Sequence, residues 1–381
     1  MKRIGIILTA FCLLIAGLPC AAQAAPAEVS AKSAVLMDAA TGTILYEQNA
    51  HEKLPPASVT KVMTMLLIME AIDQGKIGWD DTVTASEAAA AKGGSQIYLK
   101  VGETMSVTDM LKSIAVSSAN DCACAMAEHL AGSEEAFVAL MNQRAAELGM
   151  QDTHFVNCTG LDDEPNAAEH LTSAHDIAIM SRQLLVNHPD IKKFTTIWMD
   201  TVRNGTFGLS NTNKLVRFYS GATGLKTGFT AKAGYCLSAS ASRDGMELIA
   251  VVMGSTTSKD RFAACKQLLD YGFANYALVS AQVRQDRVSV KLGTAETVAA
   301  VPTRDPQLLI DKSQKNSVNS TLELEPSITA PVSKGQRLGT LTVRAGEQVL
   351  AQIPMVAAEA VPKLTWGQMF AQVLKYLVMA R

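Results

Sequence analysis

The segment from residue 62 to residue 72 is the feature that most restricts how this chain can fold. Only Thr64 and Glu70 interrupt its run of hydrophobic residues. A helix that is apolar around its whole circumference must lie inside a protein core. Ser58 and Lys61 stand three residues apart where this helix begins, and therefore on one face of its first turn. Because an unpartnered buried lysine is costly, we expect the pair to have a chemical role.

The order of the remaining patterns indicates an α+β fold. Residues 33–49 form two β-rich runs around a turn, and an Asp-Gly turn at residues 244–245 joins two further strands. Helical patterns fill the middle of the chain, and a last helix covers residues 258–273. We therefore predict an antiparallel sheet built from both ends of one domain, with helices packed against it and a helical cluster inserted.

The chain divides by composition into four parts. We predict a signal peptide over residues 1–24, a main domain over 25–277 and a small all-β domain over 278–361. Residues 362–381 form the fourth part, an amphipathic helix. Its apolar face carries Trp366, Met369, Phe370, Val373, Tyr376 and Leu377, and its polar face carries Gln368, Gln372 and Lys375. Such a helix can lie in a membrane surface or dock on the β domain, and its terminal position and cationic residues favour the membrane.

The first residues indicate export. A basic start is followed by a short apolar run and by the small-x-small sequence at residues 22–24, which is typical of a cleaved signal peptide. A transmembrane anchor is the alternative, but the run is short for a span. A lipoprotein cysteine at Cys20 fits poorly with Pro19 before it. We therefore expect the protein at the outer face of the cytoplasmic membrane or in the cell wall, held peripherally by its terminal helix.

Charge and cysteine content exclude several classes. The formal net charge is -2, so no basic field invites nucleic acid. Of seven cysteines, two lie in the predicted signal peptide, and the spacing of the others gives neither a disulfide framework nor a zinc motif. We expect small buried thiols and neither a metal nor another cofactor.

Three short motifs carry the chemistry. A serine needs a base to become a nucleophile, and no histidine lies in a recognisable arrangement with one. Lys61 can be that base for Ser58 if burial and a nearby cation favour its neutral form. The other two motifs are Ser118-Ala119-Asn120, in a polar loop between helices, and Lys226-Thr227-Gly228, at the start of a β-rich segment. Each alone has an ordinary structural explanation, but their order and spacing together are specific.

With these motifs the sequence resembles the serine penicillin-recognising enzymes, and most closely the low-molecular-mass penicillin-binding proteins that act as D-alanyl-D-alanine carboxypeptidases. The similarity runs from about residue 30 to residue 275, and the β domain and terminal helix match that family's layout. It implies a β-lactamase/transpeptidase-like main domain. It also implies that Ser58 attacks the carbonyl between two D-alanines, that Lys61 takes its proton, that Ser118 passes a proton to the leaving amine and that Asn120 orients the substrate amide.

The resemblance assigns the third motif to substrate binding. Lys226 and Thr227 would hold the terminal carboxylate, and Gly228 would let the substrate lie against the strand. The backbone N–H groups of Ser58 and Phe229 would form the oxyanion hole. The partners implied are peptidoglycan stem peptides, and β-lactams as covalent inhibitors.

Two departures from the family pattern leave alternatives open. Phe229 follows the third motif where some relatives carry histidine, and Glu164 begins a sequence similar to the deacylating loop of class A β-lactamases, although Ala168 replaces the asparagine expected there. We therefore keep three alternatives to the carboxypeptidase: a non-catalytic penicillin-recognising sensor or scaffold, a β-lactamase, and a D,D-endopeptidase that acts on cross-links.

Overall fold

The structure is a computed structural model, and it describes residues 28–163, 166–281 and 286–379. The predicted signal peptide and Glu164 lie outside these ranges. The described residues form helices α1 to α10 and strands β1 to β17. The helices are α1 Lys61–Asp73, α2 Glu87–Ala90, α3 Val107–Ser117, α4 Asn120–Ala131, α5 Glu134–Glu147, α6 Ala174–Asn187, α7 Lys192–Thr195, α8 Leu215–Phe218, α9 Ser258–Asn275 and α10 Trp366–Met379.

The strands fall into a main-domain set and a C-terminal set. In the main domain they are β1 Ser33–Asp38, β2 Ile44–Gln48, β3 Thr82–Thr84, β4 Thr104–Ser106, β5 Met199–Val202, β6 Phe207–Ser210, β7 Ala222–Thr230, β8 Gly234–Arg243 and β9 Met246–Ser255. The C-terminal strands are β10 Tyr276–Ser280, β11 Arg287–Lys291, β12 Thr297–Pro302, β13 Gln307–Asp311, β14 Val318–Leu324, β15 Ser327–Thr329, β16 Arg337–Ala345 and β17 Gln348–Ala357.

The main sheet has five strands in the order β2–β1–β9–β8–β7, and every neighbouring pair is antiparallel. Strand side chains alternate between the two faces of the sheet. Val35 and Met37 therefore join the core that contains α1, α3, α4 and α6, whereas Ala34 and Leu36 join the core that contains α9. Strands from both ends of the domain thus form one sheet, as predicted. Strand β7 lies at its edge, so one side of its backbone is open to a partner.

Local capping explains where the predicted helices begin. Ser106, Ser133 and Ser173 each accept a hydrogen bond from the backbone N–H three residues later, at the starts of α3, α5 and α6. At α9, Thr257 and Asp260 form a reciprocal capping box.

Helix α1 is buried as its composition predicts. Nine of its residues are buried, among them Lys61. Its half-buried Glu70 pairs with Arg144 at 2.7 Å. The helix does not begin at Ser58: residues 57–60 form a 3-10 turn that runs into α1.

The C-terminal part is all-β. Its six-stranded sheet has the order β14–β16–β17–β12–β11–β15 and encloses a separate apolar core that includes Val298, Leu341 and Ile353. Strand β10 covers residues 276–280 and so crosses the predicted boundary at 277.

Reciprocal hydrogen bonds mark the start of helix α10. The side-chain oxygen of Gln368 accepts from the backbone N–H of Thr365, and the Thr365 hydroxyl accepts from the backbone N–H of Gln368. Trp366 and Phe370 are 86% and 69% exposed. The side chains of Gln372, Lys375, Tyr376 and Leu377, which the sequence assigns to the two faces, lie outside the description. Within the described ranges, every helix is too short or too polar to cross a membrane.

Candidate active site

Ser58 lies on a strained turn. The residue before it, Ala57, has a positive φ of 49°, a conformation that costs a residue other than glycine about 1 kcal/mol. Such strain persists only where the surrounding structure holds it in place. Ser58 itself is half-buried, and the turn runs directly into Lys61.

Two glycines pack closely against this nucleophile turn, which we define as residues 56–60. A Cβ on Gly160 would lie 1.9 Å from the Ala57 carbonyl oxygen, and one on Gly228 would lie 2.6 Å from the Pro56 carbonyl oxygen. Gly160 also has a φ of +83°, which glycine adopts most readily. The backbone packing at Gly228 gives a reason for glycine there besides room for substrate, because the nucleophile turn already occupies the space.

A buried histidine completes the support of the turn. The hydroxyl of Thr60 donates to the Ala57 carbonyl at 2.8 Å and lies 2.8 Å from Nε2 of His170. Nδ1 of His170 accepts from the Val156 N–H at 3.2 Å. Burial, with smaller effects from His154 and Lys61, lowers the pKa of His170 to about 4. His170 is therefore neutral near pH 7, and its protonated Nε2 donates to Thr60.

Lys61 has the position and the pKa of a base for Ser58. Its Nζ lies 3.0 Å from the Ser58 Oγ and donates to the Thr159 carbonyl at 2.7 Å. The side chain is fully buried, and this burial lowers the pKa of Lys61 to about 7, while Cys158 and Asp121 act in the opposite direction. A substantial fraction of the amine is therefore neutral at neutral pH, so it can accept the serine proton.

The second motif forms the junction between α3 and α4. Ser118 ends α3 in the left-handed conformation, with a φ of 64°, and is 3% exposed. Asn120 begins α4, and its Nδ2 donates to the Gly93 carbonyl at 2.7 Å. Its Oδ1 is buried and has no hydrogen-bond partner. An orphaned buried acceptor is rare, and here it is available for a substrate N–H.

Asp121 is a structural residue of the site that motif reasoning missed. Its carboxylate accepts backbone N–H bonds from Ile97, Leu99 and Cys122, the shortest at 2.9 Å. The backbone N–H of Asn120 donates to the Ser95 carbonyl at 2.7 Å. The second motif and the loop of residues 93–99 are thus one bonded unit. An acid directly after the motif, in the first turn of a helix, is the sequence signal that could have identified Asp121.

The third motif lies on the edge strand β7. Lys226 is 1% exposed, and its Nζ donates to the Thr227 carbonyl at 2.9 Å. The Thr227 hydroxyl donates to that of Thr212 at 2.7 Å, and the Thr212 N–H donates to the Val116 carbonyl on α3. Thr212 therefore connects β7 to the helix that ends at Ser118.

Arg261 of α9 adds a further cation, which sequence reasoning also missed. It is 8% exposed and donates to the carbonyl oxygens of Gly228 and Cys236 at 2.9 and 3.3 Å. Burial, with repulsion from Lys61 and Arg261, lowers the pKa of Lys226 well below its usual value. An arriving carboxylate would relieve this repulsion, so the site favours an anionic chain end.

Phe229 lies at the outer end of the motif. Its side chain is 53% exposed and stacks on its cross-strand neighbour Tyr235, with ring centroids 4.3 Å apart. The Cβ position of Gly228 lies 3.1 Å from the Ser58 backbone nitrogen. The two N–H groups predicted to form an oxyanion hole thus belong to neighbouring segments, and their role remains a prediction.

The described cysteines, Cys122, Cys124, Cys158, Cys236 and Cys265, are free and buried. In the part of the chain that the structure describes, we find no cluster of acidic, histidine and cysteine side chains suited to a metal ion.

The site combines a serine on a turn, a buried lysine at the start of the next helix, a polar helix junction and a cationic edge strand of an antiparallel sheet. This combination defines a serine penicillin-recognising enzyme of the transpeptidase-like fold. The sequence profile of the peptidase S11 family, D-alanyl-D-alanine carboxypeptidase, matches residues 20–257. That of the C-terminal domain of penicillin-binding protein 5 matches residues 273–363. The chain therefore belongs to the D-alanyl-D-alanine carboxypeptidase family.

Individual relatives agree with this assignment. The chain is 46% identical over 340 residues to the D-alanyl-D-alanine carboxypeptidase DacF of Bacillus subtilis, covering 87% of this chain and 86% of that protein. The crystal structure of penicillin-binding protein 5 from Haemophilus influenzae superposes with a TM-score of 0.76 at 31% identity and covers 90% of this chain and all of that one. The ampicillin-bound penicillin-binding protein D2 of Listeria monocytogenes gives a TM-score of 0.56 at 32% identity, over 64% of this chain and 98% of that one. The family and the fold class predicted from sequence are confirmed.

Proposed function

We propose that this protein is a serine D-Ala-D-Ala carboxypeptidase that removes the terminal D-alanine from the pentapeptide stems of peptidoglycan. Membership of the carboxypeptidase family supports this activity. The observation that carries the mechanism is the 3.0 Å contact between Lys61 Nζ and Ser58 Oγ, together with the pKa of about 7 for that lysine.

Acylation begins with proton transfer. Neutral Lys61 takes the Ser58 proton as Oγ bonds to the carbonyl carbon of the penultimate D-alanine. The oxyanion that forms accepts from the N–H groups of Ser58 and Phe229. As the C–N bond breaks, the proton passes from Lys61 through the Ser118 hydroxyl to the leaving amine, and free D-alanine departs. Water then gives a proton to Lys61 as it attacks the acyl carbon of the Ser58 ester. The bond from Oγ to the acyl carbon breaks, Lys61 returns the proton to Oγ, and the shortened peptide leaves with a terminal carboxylate.

Substrate binding follows from the groups around the nucleophile. Lys226 and Thr227 hold the terminal carboxylate, and the orphaned Oδ1 of Asn120 accepts an amide N–H of the substrate. The open side of β7 gives an extended peptide a strand to pair with. A β-lactam presents a carboxylate and a reactive amide in the same arrangement, so it acylates Ser58 and inhibits the enzyme.

The deciding experiment is release of D-alanine from diacetyl-Lys-D-Ala-D-Ala by wild type and by Ser58→Ala. Release by wild type alone supports both the carboxypeptidase and its nucleophile. Penicillin labelling without release from any peptide favours the sensor or scaffold, and release only from cross-linked muropeptides favours the endopeptidase. Rapid turnover of penicillin identifies a β-lactamase. The absence of both labelling and release contradicts the proposal.

We also propose that the protein is exported and held on the outer face of the cytoplasmic membrane by α10. The exposed Trp366 and Phe370 of this amphipathic helix support this location. The test is co-sedimentation of the full mature chain with anionic lipid vesicles. Trp366→Ser with Phe370→Ser should lower binding about tenfold or more, whereas Gln372→Ser, on the face that the sequence predicts to be polar, should not. Equal binding by both variants contradicts the proposal.

A further inference from the structure

Glu134, the first residue of α5, lies outside every sequence motif and bonds to two separate loops. Its Oε2 lies 2.7 Å from Lys92 Nζ. Its Oε1 accepts from the backbone N–H and from the thiol of Cys158, each at 3.1 Å. The carboxylate is 17% exposed. Charge-assisted hydrogen bonds to partly buried groups are strong and directional.

In each loop, the residue that follows the partner of Glu134 holds an active-site side chain through its backbone carbonyl. Gly93 follows Lys92, and its carbonyl accepts from Asn120 Nδ2 at 2.7 Å. Thr159 follows Cys158, and its carbonyl accepts from Lys61 Nζ at 2.7 Å. One carboxylate therefore connects the carbonyl that holds the base to the carbonyl that holds the substrate-orienting amide.

We propose that Glu134 is a positioning residue for this reaction: through Cys158 it fixes the Thr159 carbonyl on Lys61, and through Lys92 it fixes the Gly93 carbonyl on Asn120. This inference rests on the proposed function, because it assigns Glu134 to the same Ser58–Lys61 chemistry.

The direction of the effect on Lys61 follows from its contacts. A carbonyl that accepts from an ammonium favours the charged form, so loss of the Thr159 contact should lower the pKa of Lys61 further. Loss of the Glu134 negative charge acts in the same direction. The titratable and charged groups around Lys61 are Ser58, Cys158, Asp121, His170 and Lys226. Those around Glu134 are Lys92, Cys124 and Cys158. Burial acts to raise the pKa of Glu134, but its hydrogen bonds with Lys92 and Cys158 outweigh burial and lower the pKa below its usual value. The carboxylate is therefore mainly ionised from pH 5 to pH 9.

A purely structural role predicts a different result. Negative charge in the first turn of a helix is stabilising, and Glu135 supplies such a charge beside Glu134 on the same turn. Glu135 is exposed, so Glu135→Ala is a matched control for helix stability. Glu134→Gln keeps an oxygen for the Cys158 N–H but removes the charge that pairs with Lys92.

The test measures the second-order acylation rate with a fluorescent penicillin from pH 5 to pH 9, with thermal melting of each variant. Glu134→Ala should lower the plateau about tenfold and move the midpoint of the acid limb down by about half a pH unit. Glu134→Gln should fall between it and wild type, and Glu135→Ala should match wild type.

An unchanged midpoint in a folded Glu134→Ala protein, whatever its plateau, overturns the proposal. If Glu134→Ala does not fold, Glu134→Gln and Lys92→Met replace it in the test. Wild-type rates and midpoints in both variants overturn the proposal. A lowered plateau with a shifted midpoint in Glu134→Gln supports the proposal. Wild type that neither acylates nor releases D-alanine overturns the proposed function as well. If the wild-type protein acylates and releases D-alanine, and the Glu134 variants behave like wild type, only the role of Glu134 is overturned.

Discussion

Gly228→Ala tests whether backbone packing against β7 sets the position of the nucleophile. A Cβ at this position would lie 2.6 Å from the Pro56 carbonyl oxygen, 0.8 Å short of the 3.4 Å at which ordinary contact begins. It would also lie 3.1 Å from the Ser58 nitrogen. Both neighbours are backbone atoms, so no side-chain rotation relieves the contact.

The turn also packs tightly against Gly160, where the Ala57 carbonyl occupies the space of a side chain. We therefore expect the turn and β7 to move apart by most of the missing 0.8 Å. A misplacement of that size costs about a hundredfold in rate, and overpacking of this kind lowers the free energy of unfolding by about 1–3 kcal/mol.

The assay is the acylation rate of Gly228→Ala with a fluorescent penicillin, beside its urea unfolding curve. Gly208→Ala is the control, because a Cβ on that glycine, in strand β6, meets no atom within 4 Å. Gly208→Ala should acylate like wild type. A folded Gly228→Ala protein within about threefold of the wild-type rate would refute the reasoning, since it would show that the contact does not position Ser58.

Three further predictions follow from the same contacts. Acylation should slow as pH falls through about 7, because protonation removes the base form of Lys61; a rate constant that is flat from pH 5 to pH 9 would contradict this. Asp121→Ala should lower the free energy of unfolding in urea by about 3 kcal/mol, since it leaves three buried N–H groups without their acceptor; a loss below about 1 kcal/mol would show that the loop re-forms its bonds. Thr60→Val should lower the free energy of unfolding in urea by about 1–2 kcal/mol, because the His170 ring N–H loses its acceptor. An unchanged free energy of unfolding would contradict that hydrogen bond.

The sequence predicts those parts of the fold that depend on local signals. Serines at 106 and 133 mark helix starts because each cap bonds to an N–H three residues away. The Asp-Gly turn predicts the β8–β9 hairpin because its two residues favour the turn that joins neighbouring strands, which is also a local effect. The 3-10 start of α1 is not predictable in this way, because this turn packs against Gly160 and Gly228, which lie about a hundred residues or more further along the chain.

Motif reasoning selects Ser58, Lys61, Ser118, Asn120 and the Lys226-Thr227-Gly228 motif, and their catalytic and binding roles remain predictions. It misses the residues that hold them, because their contacts are distant in sequence. Thr60 and His170 are 110 residues apart, and Lys61 and Thr159 are 98 apart. Glu134 reads in sequence as an ordinary first-turn acid, and only its contacts with Lys92 and Cys158 distinguish it from Glu135.

In the proposed mechanism Lys61 must be neutral and Lys226 must be charged, and the contacts around the two lysines favour that difference once a carboxylate is bound. Burial lowers the pKa of each, and the charge on Lys61 lowers that of Lys226 further. A substrate carboxylate at Lys226 and Thr227 favours the ammonium form of Lys226. A charged Lys226 in turn disfavours a second charge on Lys61, which leaves Lys61 neutral beside Ser58. With these roles, binding of an anionic chain end would therefore favour the neutral form of Lys61, and a peptide without that terminal carboxylate would not have this effect.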